Sequence, residues 1–249
     1  MVSKALRVAT SYDAQFDHVI ERCLRADGGD RPVVLIGGSV AVGKSSFAEQ
    51  IRARLAARHV GVTAVGTDGF LYSNKTLVER GLLERKGFPE TYDVERLAAF
   101  LRHARTSAIR AVVPIYSHDV FDVVGEDDVA LGDLVVVEGV NALNRPMIDV
   151  ATHRVYLDAP EEVIRVWFAE RFLRLIEIAE LDKASFYRRF VSLDATARLD
   201  VVNQVWDGIN GPNLRAHVLP TMMHADTIVH LKPDHSIDRI TLRSGKELT

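Results

Sequence analysis

The side chains best spaced for chemistry in this chain are Lys44 and Ser45. They close the stretch Gly38-Ser39-Val40-Ala41-Val42-Gly43-Lys44-Ser45, which Ser46 continues. The spacing is a complete GxxxxGKS. Glycines let the backbone turn tightly enough for successive N–H groups to converge on phosphate oxygens; a lysine at this offset reaches the outer phosphates, and the next hydroxyl suits magnesium. Such a loop needs a strand before it and a helix after it, so that the helix N-terminus adds its partial positive charge. Both are legible, since Pro32 to Ile36 is a short apolar run and Phe47, Ile51 and Leu55 recur at helical spacing.

Two carboxylates stand at the ends of other apolar runs. Val60 to Gly66 reads as a strand delivering Thr67-Asp68-Gly69-Phe70, and Leu134 to Val137 as a strand delivering Glu138-Gly139. Open α/β sheets bind ligands beyond the carboxyl ends of their strands. Asp68 therefore suits accepting a proton from an attacking hydroxyl or helping to place a metal, and Glu138 suits a magnesium beside Ser45. An aspartate before glycine equally suits a plain turn. His118, in Tyr116-Ser117-His118, follows a brief strand from Val112 to Ile115, where a histidine is as much at home in a turn as in a site. Arg171 sits on a helix expected from Pro160 to about Ala179. It can stabilise a phosphoryl group in transfer or pair with Glu170 or Glu177. Trp167, Phe168, Phe172 and Leu175 on that helix form an apolar stripe of the kind that builds a core.

The other elements frame these residues. Asp13 to Ala26 puts Phe16, Val19, Ile20, Cys23 and Leu24 on one face, a lead-in helix ending at Gly28-Gly29. Asn74 to Glu84 reads as a helix, Arg85 to Glu90 as a charged, glycine-punctuated loop suited to a mobile cover, and Asp93 as the cap of a helix reaching about Ala104. Glu126 to Gly132 reads as an acidic surface loop, Arg154 to Leu157 as a strand, and Asp182 to Phe190 and Asp194 to Asp207 as helices. Trp206 to Asn213 reads as a loop offering Asn210 and Asn213 to a ligand. Thr227 to Leu231 and Ile237 to Leu242 alternate as strands across a turn at Lys232 to His235. This alternation predicts a three-layer α/β fold, a mostly parallel central sheet with helices on both faces, formed as one domain over 1–249.

Bulk properties agree. The 249 residues are 47% hydrophobic and 26% charged, enough for one buried core, and a net charge of −3 argues against a nucleic-acid partner. The single Cys23 cannot form an internal disulfide. No apolar run reaches membrane-spanning length and the start lacks a secretory core, so no membrane partner and a cytoplasmic location are expected.

Taken together, these motifs resemble the bacterial type I pantothenate kinases, within the phosphoribulokinase/uridine kinase group of P-loop kinases. The resemblance runs from about Pro32 to Leu242. It is carried by the GxxxxGKS loop, Thr67 to Leu71, Arg80 to Leu82, Lys86 to Asp93, Tyr116 to His118, Glu138 to Leu143, Tyr156 to Pro160, Asn213-Leu214 and Leu219 to Thr221. It implies ATP-dependent phosphorylation of pantothenate, with magnesium, in a homodimer. By matching position it gives Lys44 and Ser45 to phosphates and magnesium, Asp68 to the reacting hydroxyl and Arg171 to transferred charge. Tyr116, His118 and Asn210 fall to pantothenate, Phe168 and Phe172 to its pocket walls, and Lys232 and His235 to the adenine side; 160–215 becomes a helical acceptor-side region. The departures lie at Phe121, where the family has a tyrosine, at Ile176, and at Met222 to His224, which replace an arginine-rich stretch. Glu49 stands where the family places an arginine that helps hold the inhibitor coenzyme A, which implies weak inhibition. The alternatives are a kinase of another small alcohol (a nucleoside, glycerate or a sugar-like acceptor) or a nucleotide-binding regulator without turnover. A GTPase is disfavoured because Asn74-Lys75-Thr76-Leu77 lacks a guanine-reading aspartate.

Overall fold

The computed structural model describes residues 11–25, 30–182, 184–243 and 247–248. Helix α1 (Ser11–Cys23) precedes strand β1 (Val33–Gly38), the phosphate loop and helix α2 (Lys44–Ala56). The expected end of the lead-in helix at Ala26 and Gly28-Gly29 lies outside the described residues. Phe16, Val19, Ile20 and Cys23 are fully buried, as the one-faced pattern predicts. Phe16 meets Phe47 of α2 edge-on at 5.0 Å, and Arg54 of α2 and Arg58 just beyond its end pair with Asp13, Asp17 and Glu21, so α1 is fastened to the helix that follows the phosphate loop.

Strand β2 (Val62–Gly66) leads into a single 3₁₀ turn, Thr67–Phe70, and then come α3 (Asn74–Glu79) and α4 (Val94–Arg105). Asp93 caps α4 by accepting the Arg96 N–H. Strands β3 (Arg110–Ser117) and β4 (Asp122–Ala130) form a separate antiparallel pair. The acidic stretch expected as a loop is thus a strand. Its charges are matched by arginines, Arg110 bonding Asp128 at 2.8 Å and Arg96 pairing with Glu126, while the backbone pairs with β3.

Strand β5 (Leu134–Glu138), helix α5 (Met147–Val150), strand β6 (His153–Asp158) and the long helix α6 (Glu161–Ile178) follow. Next come a 3₁₀ turn at Phe186–Phe190 and α7 (Ala195–Val205), capped by Asp194. Where a loop was expected after Trp206, the chain stays helical. Two π turns, Trp206–Asn210 and Leu214–Val218, flank Gly211–Asn213, and a 3₁₀ stretch reaches His224. The chain ends in β7 (Thr227–Leu231), β8 (Ile237–Leu242) and β9 (Glu247–Leu248).

The main sheet runs β2-β5-β1-β6-β7-β8-β9, parallel from β2 to β7 and antiparallel at β8 and β9. Val33 to Ile36 and Leu134 to Val137 are all 0% exposed. Successive strand residues point to opposite faces, so both faces of the sheet are covered, as the predicted α/β class requires. Register then sets the site: Ile36 pairs with Glu138 and Gly66 with Glu138, which brings the ends of β1, β2 and β5 level.

Candidate active site

Levelled strand ends put three functional segments side by side. The phosphate loop leaves β1, Asp68 sits two residues beyond the end of β2, and Glu138 ends β5. The loop takes left-handed backbone at Ala41 and Gly43, with φ of 62° and 94°, and Gly43 starts α2. Lys44 is buried and its Nζ donates to the Ser39 carbonyl at 2.7 Å. Burial holds its pKa below the usual lysine range, opposed by the charges of Glu138 and Asp68, while Arg171 adds to the depression. Ser45 Oγ donates to Glu138 Oε1 at 2.8 Å. A hydroxyl and a carboxylate beside a phosphate loop are the hard oxygen donors that magnesium takes alongside substrate phosphates.

Three adjoining cavities converge here. The largest, 710 Å³, runs along the phosphate loop from Ala41 to Phe47 and under Trp167, Arg171, Arg174 and His235. A second, 230 Å³, shares Lys44, Ser45 and Arg171 with the first and adds Asp68, Tyr116, His118 and Glu138. The third, 160 Å³, shares Asp68, Tyr116, Val40 and Val140 with the second and is otherwise lined by Lys86, Phe121, Asn210 and Asn213, among others. Shared walls make the three one continuous path. Arg171 stands where the first two meet and, among the described residues, makes no ion pair with Glu170 or Glu177. Asp68 stands where the last two meet and accepts the Tyr92 hydroxyl at 3.3 Å. Burial, and then the charge of Asp68, hold the Tyr92 phenol well above its usual pKa, so it remains a donor.

Several expected residues therefore come together: Ala41 to Ser46 and His235 on the first cavity, Asp68, Tyr116, His118, Glu138 and Arg171 on the second, and Asn210 on the third. Gly38 ends β1, Ser39 and Val40 line the third cavity, and Val42 and Gly43 line the first. Besides Gly38, which lines none of the three cavities, three residues do not join them. Phe168 and Phe172 are each 6% exposed and line none of the three cavities. They face inward from α6 onto Trp206, Tyr187 and Phe190, so this part of the stripe is core. Lys232 stands exposed in the β7–β8 turn, off all three walls. Of the altered positions only Phe121 touches the third cavity; Ile176 is fully buried and Met222 to His224 line none. Glu49 accepts from Arg52 at 2.6 and 2.7 Å and lies off the first cavity.

Reading the sequence missed several wall residues, four of them with side chains that bear on the site. Trp167, assigned to the core, stacks on His235 with ring centroids 3.9 Å apart and planes 19° apart, and bonds the Pro233 carbonyl through Nε1 at 2.9 Å. Its signal was its position one turn before Arg171. Arg174, three residues after Arg171, lines the same cavity. Tyr92 was passed over as part of a motif. Lys86 was assigned to a mobile loop, yet its Nζ donates to Asn74 Oδ1 at 2.6 Å and to the Phe121 carbonyl at 2.5 Å, over the rings of Tyr116 and Phe121. Burial pushes its pKa down to about 8 against the pull of Asp122 and Asp68.

No protein-family model matches the chain. It is 34% identical, over 97% of its length and 82% of the relative's, to the pantothenate kinase of Serratia proteamaculans (strain 568). It is 37% identical over the same shares to that of Shewanella amazonensis (strain ATCC BAA-1098 / SB2B). Among solved structures, a protein assigned as a fructose transport system kinase from Silicibacter sp. TM1040 superposes with a TM-score of 0.67 at 24% identity, covering 83% of this chain and 93% of that one. The D-glycerate 3-kinase of Cryptococcus neoformans var. grubii superposes with a TM-score of 0.61 at 12% identity, covering 92% and 97%. These two establish the fold, that of the P-loop kinases. The identities to the curated relatives go further, and by them the chain belongs to the pantothenate kinase family.

Proposed function

We propose that this protein transfers the terminal phosphoryl group of ATP to the primary hydroxyl of pantothenate, giving 4′-phosphopantothenate, the first step toward coenzyme A. The observation that carries the reading is the continuous path with Asp68 at one junction and Arg171 at the other. The relatives named pantothenate kinase, which match 97% of the chain, supply the acceptor. An acceptor bearing a carboxylate also suits Lys86, the half-buried cation on the third cavity.

In this reading the nucleotide lies in the first cavity with its base toward Trp167 and His235 and its phosphates on the loop. Lys44 and Arg171 hold the outer phosphate oxygens from two sides, and Ser45 and Glu138 would hold magnesium, which when bound would neutralise phosphate charge. Asp68 orients the acceptor hydroxyl and takes its proton as the new O–P bond forms and the bond to the ADP oxygen breaks. Tyr92 holds Asp68, while Tyr116, His118 and Asn210 contact the acceptor. Phosphoryl transfer depends on in-line positioning and charge neutralisation more than on covalent chemistry, so these groups suffice. One kinase unit and a homodimer complete the reading, the latter open to light scattering.

The test is ADP release coupled to product mass spectrometry, with pantothenate set against nucleosides, glycerate and sugars. Phosphopantothenate as the preferred product is expected. Turnover of another alcohol with none of pantothenate refutes the acceptor, and nucleotide binding with no product from any acceptor refutes the kinase.

A further inference from the structure

The third cavity is bounded on one side by the segment carrying Lys86 and Gly87, and beside the Lys86 bonds to Asn74 and Phe121 two side-chain amides meet there on a single backbone oxygen. The Gly87 carbonyl accepts Asn141 Nδ2 at 2.9 Å and Asn213 Nδ2 at 3.0 Å. Asn141 lies three residues past the end of β5 and Asn213 in the helical turn between the two π turns. Two segments far apart in the chain thus grip the same peptide. Both amides are buried, 3% and 6% exposed, and Asn141 is itself held through its Oδ1 by Asn144 Nδ2 at 3.1 Å. Gly87 keeps a φ of +97°, a backbone state that costs any residue with a side chain.

The Asn213 amide has one orientation consistent with this grip, because turning it over would set oxygen against oxygen. In that orientation its Oδ1 is buried without a hydrogen-bond partner. Lys86, one residue earlier, carries the cation of the cavity that Gly87 and Asn213 also line. Asn210, three residues before Asn213, lies on the same helical face and lines the cavity too.

We propose that Asn141 and Asn213 are positioning residues that clamp the Gly87 carbonyl and thereby fix the Lys86 ammonium over the acceptor. The kinetic part of this rests on pantothenate, or another anionic alcohol, being the acceptor; the structural part does not. Two readouts separate them. Hydrogen exchange on the full-length protein follows the backbone amides of residues 85–91. In Asn213→Ala and in Asn141→Ala these exchange about tenfold faster or more, while β1 and β5 keep their protection. Unchanged exchange at 85–91 in both variants overturns the clamp, whatever the acceptor is.

Steady-state kinetics use ATP and the acceptor that wild type turns over. Asn213→Ala raises acceptor KM by about tenfold, with kcat within about threefold and ATP KM unchanged. In a Lys86→Met background the same substitution adds less than about twofold, because the two residues act through one contact. A full effect of Asn213→Ala persisting in that background, or an effect confined to kcat or to ATP KM, overturns the proposal. A wild type that phosphorylates only neutral alcohols overturns the pantothenate reading and the role of Lys86 while leaving the exchange result to decide the clamp. Asn141→Ala reaches Gly87 through a different element, so a folding defect in one variant leaves the other to answer.

Discussion

Gly139→Ala is the most revealing single change in the site, since it adds one methyl group where two functional segments touch. A Cβ on residue 139 would lie 1.7 Å from Thr67 Oγ1, 2.7 Å from Thr67 Cβ and 2.8 Å from Thr67 Cγ2. Carbon atoms in packed interiors sit about 3.5–4.0 Å apart, so the two backbones must separate by about 1 Å. Thr67 is 1% exposed and cannot swing into solvent. It immediately precedes Asp68, and Gly139 immediately follows Glu138, so the strain moves the Asp68 carboxylate against that of Glu138. A misplacement of about 1 Å costs about 10²-fold in rate. Overpacking of this kind destabilises by about 1–3 kcal/mol, and at about 2–4 °C per kcal/mol for a chain of this size the melting midpoint falls by about 2–12 °C. Thermal melting by circular dichroism, ADP-coupled turnover and calorimetric ATP binding measure the three quantities, with ATP affinity expected to hold. Adding Thr67→Ala removes the Oγ1 and Cγ2 contacts and should restore much of both losses. A Gly139→Ala enzyme with turnover within about threefold of wild type and an unchanged midpoint refutes the steric argument.

Other consequences are equally direct. Asp68→Asn should lower kcat by about 10²–10⁴-fold, the usual worth of a positioned general base, without weakening ATP binding; near-normal turnover removes Asp68 from the mechanism. Arg171→Gln should cost about 10³-fold or more in kcat, as loss of an arginine on a transferring phosphoryl group does, and an effect limited to ATP KM would reassign it to nucleotide binding alone. Lys86 loses its charge as pH rises through about 8, with Asp122, Asp68 and Tyr116 the titratable groups around it. Acceptor kcat/KM should therefore fall above that pH, and Lys86→Met should abolish this limb; a limb that survives the substitution belongs to another group. Lys44→Ala should lose transfer by several orders of magnitude, with the residual rate read in single-turnover assays.

Sequence by itself determined what depends on neighbours in the chain. The phosphate loop, the buried parallel strands and the carboxylates at their ends are local patterns, since a strand's apolar run and the residue at its end are fixed by adjacency. Asp68, Glu138, Lys44 and Ser45 were legible for that reason, and β1, β5 and α4 lie close to where their patterns put them. Only the tertiary structure decided which faces meet. Strand β4 could not be read from its acidic residues, because pairing with β3 and arginines distant in sequence make it a strand. The apolar stripe on α6 divides into a pocket wall at Trp167 and core at Phe168 and Phe172, because what covers each side chain comes from elsewhere in the chain: His235 for the first, and Trp206, Tyr187 and Phe190 for the others. The segment that looked like a free loop is held by Asn141 and Asn213, 54 and 126 residues away. Adjacency specifies the phosphate loop and the strand-end carboxylates; long-range packing specifies where Lys86 and the walls of the third cavity stand.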